Sequence, residues 1–242
     1  NKDWFWSMTL TGGHVMDQIR KISQGLKNDI DNPYDSSKPK ILFVEGGSQY
    51  DIYAMRSAGI DPATGKEIFI KKNGEYTFKY DENERVAVGN TNPILQGSWM
   101  NTVRYKGFSI SLATSYTFGS DYYNSTLKNK VENIDLDYNV DRRVFTDRWK
   151  QPGDHTRFLG IGTSSSSSQY SERFVEKRNE LYISSIQVMY DFAPKAITRL
   201  GLRKLAIGFG LSDIAHISTV KFERGTDYPY CRGINLIFRP TF

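Results

Sequence analysis

The stretch LQGSWMNTVRYKGFSISLATSYTF, residues 95–118, decides the fold. In its second half Phe108, Ile110, Leu112, Tyr116 and Phe118 fall on one side, and Ser109, Ser111, Ala113, Ser115 and Thr117 on the other. A period of two is the signature of a strand with two unlike faces. The first half repeats the pattern, with Leu95, Trp99, Val103 and Tyr105 opposite Gln96, Ser98, Thr102 and Arg104. Only Lys106-Gly107 separates the halves, so they read as a tight antiparallel hairpin.

Working outward, four more segments alternate in the same way. Trp4, Trp6, Met8 and Leu10 share a face in 3–12, and Tyr182, Ile186, Val188 and Tyr190 in 180–190, where Leu181 and Ile183 blur the contrast. Leu205, Ile207, Phe209 and Leu211 line one side of 202–211. Ile234, Leu236, Phe238 and the terminal Phe242 do so in 231–242. The opposite faces carry mostly Ser, Thr, Gly and Gln rather than the long charged residues a soluble sandwich puts outside. Small polar residues inside, apolar ones outside and aromatics near strand ends are the pattern of an outer-membrane barrel, whose strands cross a bilayer in ~9–11 residues. Connectors alternate between short (106–107, 191–201) and long (13–94, 119–179, 212–230), as periplasmic turns and extracellular loops do. On that reading 231–242 descends and 212–230 lies outside the cell. A soluble β-sandwich remains the competing reading.

Composition narrows the class further. The 242 residues hold 15 Tyr, 14 Phe and 24% charged residues, too aromatic for a disordered chain, and no run of ~18 apolar residues that could form a membrane helix. Lys and Arg total 32 against 27 Asp and Glu, interspersed rather than gathered in a stripe, which argues against nucleic acid as a partner. A lone Cys231 excludes an internal disulfide framework and a Cys-cluster zinc site. The chain opens at Asn1 without an initiator Met or leader, the mark expected of a processed chain or a fragment. Within the long excursions a short helix is expected at Met16–Leu26 and a helix-compatible piece at Val140–Trp149. Strand-like pieces lie at Tyr50–Met55, Glu67–Lys71 and Tyr76–Tyr80, outside the membrane, and the run Ser164–Ser168 reads as a solvated tract.

The motifs, taken in order, resemble a known family. AGIDPATGKEIF (58–69), VGNTNPILQGSWMNTVRYKGFSISL (88–112), YYNS (122–125), DRWKQPGD (147–154), SERFVE (171–176), ERGTDYP (223–229) and the aromatic C-terminus are similar to the C-terminal part of SusC/RagA-class TonB-dependent outer-membrane transporters of Bacteroidetes. Two positions depart from that pattern: Lys177-Arg178-Asn179-Glu180-Leu181-Tyr182 after the acidic motif, and Ser212-Asp213-Ile214 near the end of the penultimate strand. The resemblance implies an all-β fold: residues 1–242 would be the last antiparallel strands of a large, 22-stranded-type transmembrane barrel with long extracellular loops, the plug domain and N-terminal strands lying outside this sequence. It also implies outer-membrane import of an oligosaccharide or oligopeptide without catalytic chemistry. The implied partners are a SusD-like surface lipoprotein, TonB (through the missing N-terminal part) and outer-membrane lipid. A secreted glycan-binding β-sandwich, or a surface glycoside hydrolase, are the alternatives from other classes.

Candidate residues follow from these readings. Gln96, Ser109, Ser111 and Ser115 would face the lumen, while Phe108, Ile110 and Leu112 meet lipid. Phe242 would end a membrane-insertion signal, and Pro240 suits a sheet edge because it lacks a ladder donor. Tyr122, Tyr123, Tyr138, Trp149 and Tyr170 lie in the outer loops, where aromatic faces either grip a glycan or peptide or pack the loops together. Asp135, Asp137, Asn139 and Asp141 alternate like the first half of a calcium loop, but Val140 and Thr146 stand where such a loop needs Gly and Glu. GIDPATGK (59–66) has the wrong spacing for a phosphate loop and reads as a turn. His14, His155 and His216 are far apart and show no metalloprotease pair. Nothing in the sequence calls for a cofactor.

Overall fold

The computed structural model describes residues 3–26, 42–134, 140–162, 169–221 and 232–242. They divide into two compact units. A strand unit comprises 1–14, 93–119 and 178–242, and a loop unit comprises 15–92 and 120–177.

The strand unit is one six-stranded sheet. Its members are β1 (Trp4–Gly13), β7 (Leu95–Tyr105), β8 (Phe108–Tyr123), β9 (Val175–Asp191), β10 (Lys204–Ser218) and β11 (Gly233–Thr241), neighbours in that order. The hairpin read from residues 95–118 forms with Tyr105 opposite Phe108 and Leu95 opposite Phe118. Lys106 turns it with a φ of 52°. Trp4 pairs with Tyr105 and Leu10 with Trp99, so β1 lays its even positions beside the apolar positions of β7. Ile207 stands between Tyr190 and Phe238, and Phe209 between Val188 and Leu236, which continues the same scheme across β9, β10 and β11. The connection from β9 to β10 holds a helical turn, Pro194–Ile197, with Pro at its first position, where the missing N–H costs nothing.

The ladders outrun the greasy alternation. β8 is 16 residues long, β9 17 and β10 15. Hydrophobic periodicity marks only the part of a strand with one apolar face. Beyond it the backbone pairing continues under polar side chains, held by Asn179, whose Oδ1 accepts from the Gly119 N–H at 2.9 Å and whose own N–H donates to Thr219 Oγ1 at 2.8 Å.

The loop unit contains two small sheets, β2 (Asp51–Ala54) with β6 (Val86–Asn90), and β3 (Arg56–Ile60), β4 (Glu67–Ile70) and β5 (Tyr76–Thr77). β2, β4 and β5 coincide with the strand-like pieces read from sequence, whereas β3 and β6 were not foreseen. The expected helix at Met16–Leu26 does not form; only its last three residues make a helical turn. Asp17 instead ties the segment to a neighbour, accepting from Ser48 Oγ at 2.6 Å and the Gln49 N–H at 2.8 Å. The helix-compatible piece is a single turn, Arg143–Thr146. Leu127, Val131, Val144, Phe158 and Phe174 form the core of this unit, with Tyr123, Ile134 and Val140 packed against it. No helix among the described residues is long and apolar enough to cross a membrane.

Candidate functional site

The sheet has one greasy face and one hydroxyl-lined face. On the greasy face Trp4, Leu10, Phe108, Leu236 and Phe238 are all more than half exposed. The apolar run from Phe108 to Phe118 measures about 34 Å along the strand at ~3.4 Å per residue. Tilted by ~40° it rises about 26 Å, which matches the ~25 Å apolar band of a membrane barrel. Aromatics gather where the short turns are. Trp4 and Tyr105 lie 5.8 Å apart, Phe108 and Tyr190 4.6 Å, and Tyr190 and Phe192 4.8 Å. The other face carries a hydroxyl ladder, with Thr11 Oγ1 2.7 Å from Ser98 Oγ and Thr102 Oγ1 3.3 Å from Ser111 Oγ.

Near the long connections a row of small residues crosses the greasy face. Gly12, Gly97 and Tyr116 are register partners. A Cβ on Gly97 would lie 1.9 Å from the Thr11 carbonyl oxygen, and the Tyr116 hydroxyl donates to that same oxygen at 2.7 Å. The tyrosine thus covers backbone that two glycines leave bare.

The face changes polarity at a bulge in β10. Ser212 pairs with Ser185 but Ala215 with Ile183, so β10 carries one residue more than its partner there, and Asp213 takes a left-handed φ of 55°. Beyond it His216 stands opposite Tyr182 and Ser218 opposite Glu180, so the parity has flipped. Glu180 accepts from His216 Nε2 at 2.6 Å and Arg178 Nη2 at 2.7 Å, and the Tyr182 hydroxyl donates to Asp213 Oδ1. The greasy face therefore ends in a charged collar. Ile217 thereby crosses to the opposite face, where Leu181 and Ile183 lie by the alternation of β9.

In the loop unit a buried guanidinium is the organising charge. Arg173 Nη2 lies 2.7 Å from Glu67 Oε2 and 2.8 Å from Glu132 Oε1, with all three side chains at most 7% exposed. Burial pulls the Arg173 guanidinium down, and its hydrogen bonds to Glu67 and Glu132 more than reverse this, so it is held charged. Ser171 Oγ donates to Glu67, and Arg148 Nη2 donates to the Val131 and Glu132 carbonyls at 2.6 Å each. Segments far apart in sequence are fastened at one point.

No family model matches the chain. A curated relative, TonB-dependent receptor P39 of Formosa agariphila, is 25% identical over 188 residues, which is 75% of this chain and 18% of the relative. Solved structures of the RagAB peptide transporter share the fold. One superposes with a TM-score of 0.72 at 16% identity, over 91% of this chain and 24% of the other. Another, of the RagAB peptide importer in a closed-closed state, gives 0.70 at 18% identity, over 92% and 24%. Over three quarters of its length the chain is similar to a TonB-dependent receptor. It spans less than a quarter of the length of the receptors and transporters it matches. Its fold is the antiparallel barrel-wall segment that the alternation and the resemblance implied.

The structure places the candidate residues as follows. Gln96, Ser109, Ser111 and Ser115 share the hydroxyl face by register. Phe242 follows β11 and is 80% exposed. Tyr123, Tyr170 and Phe174 come together, with Tyr123 5.4 Å from Tyr170 and 6.1 Å from Phe174, and Lys128 sits 4.4 Å over the Tyr170 ring. Burial pushes the Tyr170 phenol up and pulls the Lys128 ammonium down. Tyr122 is half-buried at the end of β8. Trp149 donates its indole N–H to the Pro62 carbonyl at 2.9 Å, and its ring packs on Gly65, whose φ is +69°. Gly65 belongs to the GIDPATGK turn, where Asp61 Oδ1 and Oδ2 accept from the Ala63 N–H and the Thr64 hydroxyl.

Tyr138, Asp135, Asp137 and Asn139 lie outside the described residues, as do Ser164–Ser168, residues 222–230 and Cys231. Asp141 is described, and both its carboxylate oxygens are taken by the Arg143 guanidinium, at 2.9 and 2.6 Å. Among the described residues no cluster of His, Cys, Asp or Glu is arranged to hold a metal. Sequence reasoning missed the Arg173–Glu67–Glu132 network and the bulge. Their signals were present, since Arg173 and Glu67 sit inside motifs quoted for the resemblance and Asp213 at a departure from it.

Proposed function

We propose that this chain is wall and outer loops of a TonB-dependent importer in the outer membrane, its last strands lining the passage for an oligopeptide or oligosaccharide. The single observation that carries the reading is the continuous apolar face of the sheet, exposed on β1, β7, β8, β10 and β11, backed by a ladder of Ser and Thr. A water-soluble sandwich would press such a face against a second sheet; here Leu10 is 62% and Leu236 85% exposed. Gln96, Ser109, Ser111 and Ser115 then face the lumen, Phe108, Ile110 and Leu112 face lipid, and the Glu180–His216 collar sits where hydrocarbon gives way to headgroups and water. Phe242 closes a strand of the kind the insertion machinery reads. Residues 1–242 supply the C-terminal wall, with plug and earlier strands contributed by sequence beyond this segment. A SusD-like lipoprotein outside and TonB inside are the partners the resemblance implies. The RagAB structures, described as peptide transporter and importer, support a peptide cargo.

The test is phase partition and fractionation of the intact protein. The import reading expects it in the detergent phase of a cloud-point separation and in the outer-membrane fraction. Recovery in the aqueous phase as a monomer favours the secreted glycan-binding sandwich.

A further inference from the structure

The motif DRWKQPGD builds a cleft that none of the readings above uses. Thr146, Arg148, Lys150, Gln151, Asp154 and His155 line a polar cavity of about 390 Å³. Val144, Phe145, Trp149 and Ile161 line an apolar one of about 280 Å³, and Arg148 and Lys150 belong to both. All of these residues lie in the loop unit. Two cations thus stand at the seam between a wet compartment and a greasy one.

The charges at the seam are available for a ligand. Arg148 is 5% exposed and contacts only backbone carbonyls through Nη2, while its buried Nε has no hydrogen-bond partner. The carboxylate whose charge acts on it, Glu132, is gripped at both oxygens by Arg173. Asp154 in the polar compartment spends Oδ2 on the Lys150 and Gln151 N–H groups at 3.0 Å each, which fixes the turn. Lys150 is exposed and makes no ion pair among the described residues. A buried guanidinium with unused donor capacity is costly unless an acceptor arrives.

The apolar compartment limits what carries that acceptor. A sugar ring stacks on an open aromatic face, but the Trp149 indole is already packed on Gly65 and bonded to Pro62. Val144, Phe145 and Ile161 instead suit a branched or aromatic side chain. The C-terminal residue of a peptide places a carboxylate directly beside such a side chain.

We propose that this cleft binds the free C-terminus of an oligopeptide ending in an apolar residue. The carboxylate lies against Arg148 and Lys150, and the side chain enters the pocket of Val144, Phe145 and Ile161. The proposal deepens the import reading above and rests on it. Charge-assisted hydrogen bonds to a carboxylate are stronger than those to a neutral amide.

The experiment is calorimetric titration of the purified intact receptor in detergent micelles with N-acetyl-Ala-Leu and with its C-terminal amide. The acid is expected to bind at least about tenfold more tightly than the amide, the size of one charge-assisted bond. Lys150→Glu, on the exposed side, should bring the acid down to the amide's affinity with an unchanged melting curve, and Ile161→Asp should weaken both ligands. Equal binding of acid and amide, no binding of the acid at millimolar concentration, or an acid affinity untouched by Lys150→Glu overturns the site. So does a neutral oligosaccharide whose binding depends on these same residues. Outer-membrane fractionation, scored on the same preparation, separates the two failures: a receptor that inserts yet ignores the carboxylate keeps the import reading and loses this one.

Discussion

The strand unit and the loop unit are built from one chain under opposite rules. In the loop unit Phe69, Phe158, Phe174, Met55 and Val131 are almost fully buried, and charges inside it are paired or bonded. Among the described residues of the strand unit the buried hydrophobic ones are Ile197, Leu205 and Val220, while Trp4, Trp6, Leu10, Phe108, Ile110 and Leu236 lie open. Apolar surface in water is unfavourable by roughly 25 cal/mol per Å², so a continuous greasy sheet face is stable only against another apolar phase. On the import reading the contrast is one of solvents, with water around the loops and hydrocarbon around the strands.

Five substitutions probe that contrast. The largest effect is expected in the loop unit from Arg173→Met, which strands Glu67 and Glu132 without a counter-charge. Losing one partner of a buried ion pair costs about 3–5 kcal/mol, to be seen as faster hydrogen exchange across β4 and residues 127–134 while the strand ladders stay protected. Next comes Leu112→Arg. At mid-bilayer it should impair insertion by about 2–4 kcal/mol, whereas Ser111→Arg, one residue away on the hydroxyl face, should leave assembly nearly intact. Equal effects would break the assignment of faces. Gly97→Ala puts a methyl against the Thr11 carbonyl and should loosen the β1–β7 pairing by about 1–3 kcal/mol, as overpacking does. Tyr116→Phe removes only the hydroxyl bond to Thr11 and should cost about 1 kcal/mol in unfolding of the refolded barrel.

Much of the strand unit was legible because period-two alternation is a direct consequence of strand geometry with unlike solvents on its faces. The hairpin at Lys106-Gly107, the side of Phe108 and Ile110, and the succession of short and long connectors all follow from it. Alternation says nothing where both faces are polar, so the upper ends of β8, β9 and β10 were read as loop. Nor can it register the bulge at Asp213, because one inserted residue flips the parity without changing composition. The loop unit was less legible for a different reason. Its strands β3 and β6 are short and its order comes from pairings between distant segments, such as Arg173 with Glu67, that no local pattern announces. Met16–Leu26 has helical spacing, but hydrogen bonds to Ser48 and Gln49 outweigh that weak local preference. The cleft of Arg148 and Lys150 sits within a motif that was recognisable as a string, yet its two compartments exist only in three dimensions.

Solvent contact along β8 tests the central claim most directly. Single nitroxide labels at positions 109, 110, 111 and 112 of the intact protein in outer-membrane vesicles, with Cys231 replaced by Ser, report collision with oxygen, which concentrates in hydrocarbon, and with a water-soluble nickel chelate. High oxygen accessibility at Ile110 and Leu112, alternating with high nickel accessibility at Ser109 and Ser111, is the expected result. Nickel accessibility at all four positions, or the opposite alternation, would contradict a lipid-facing apolar side.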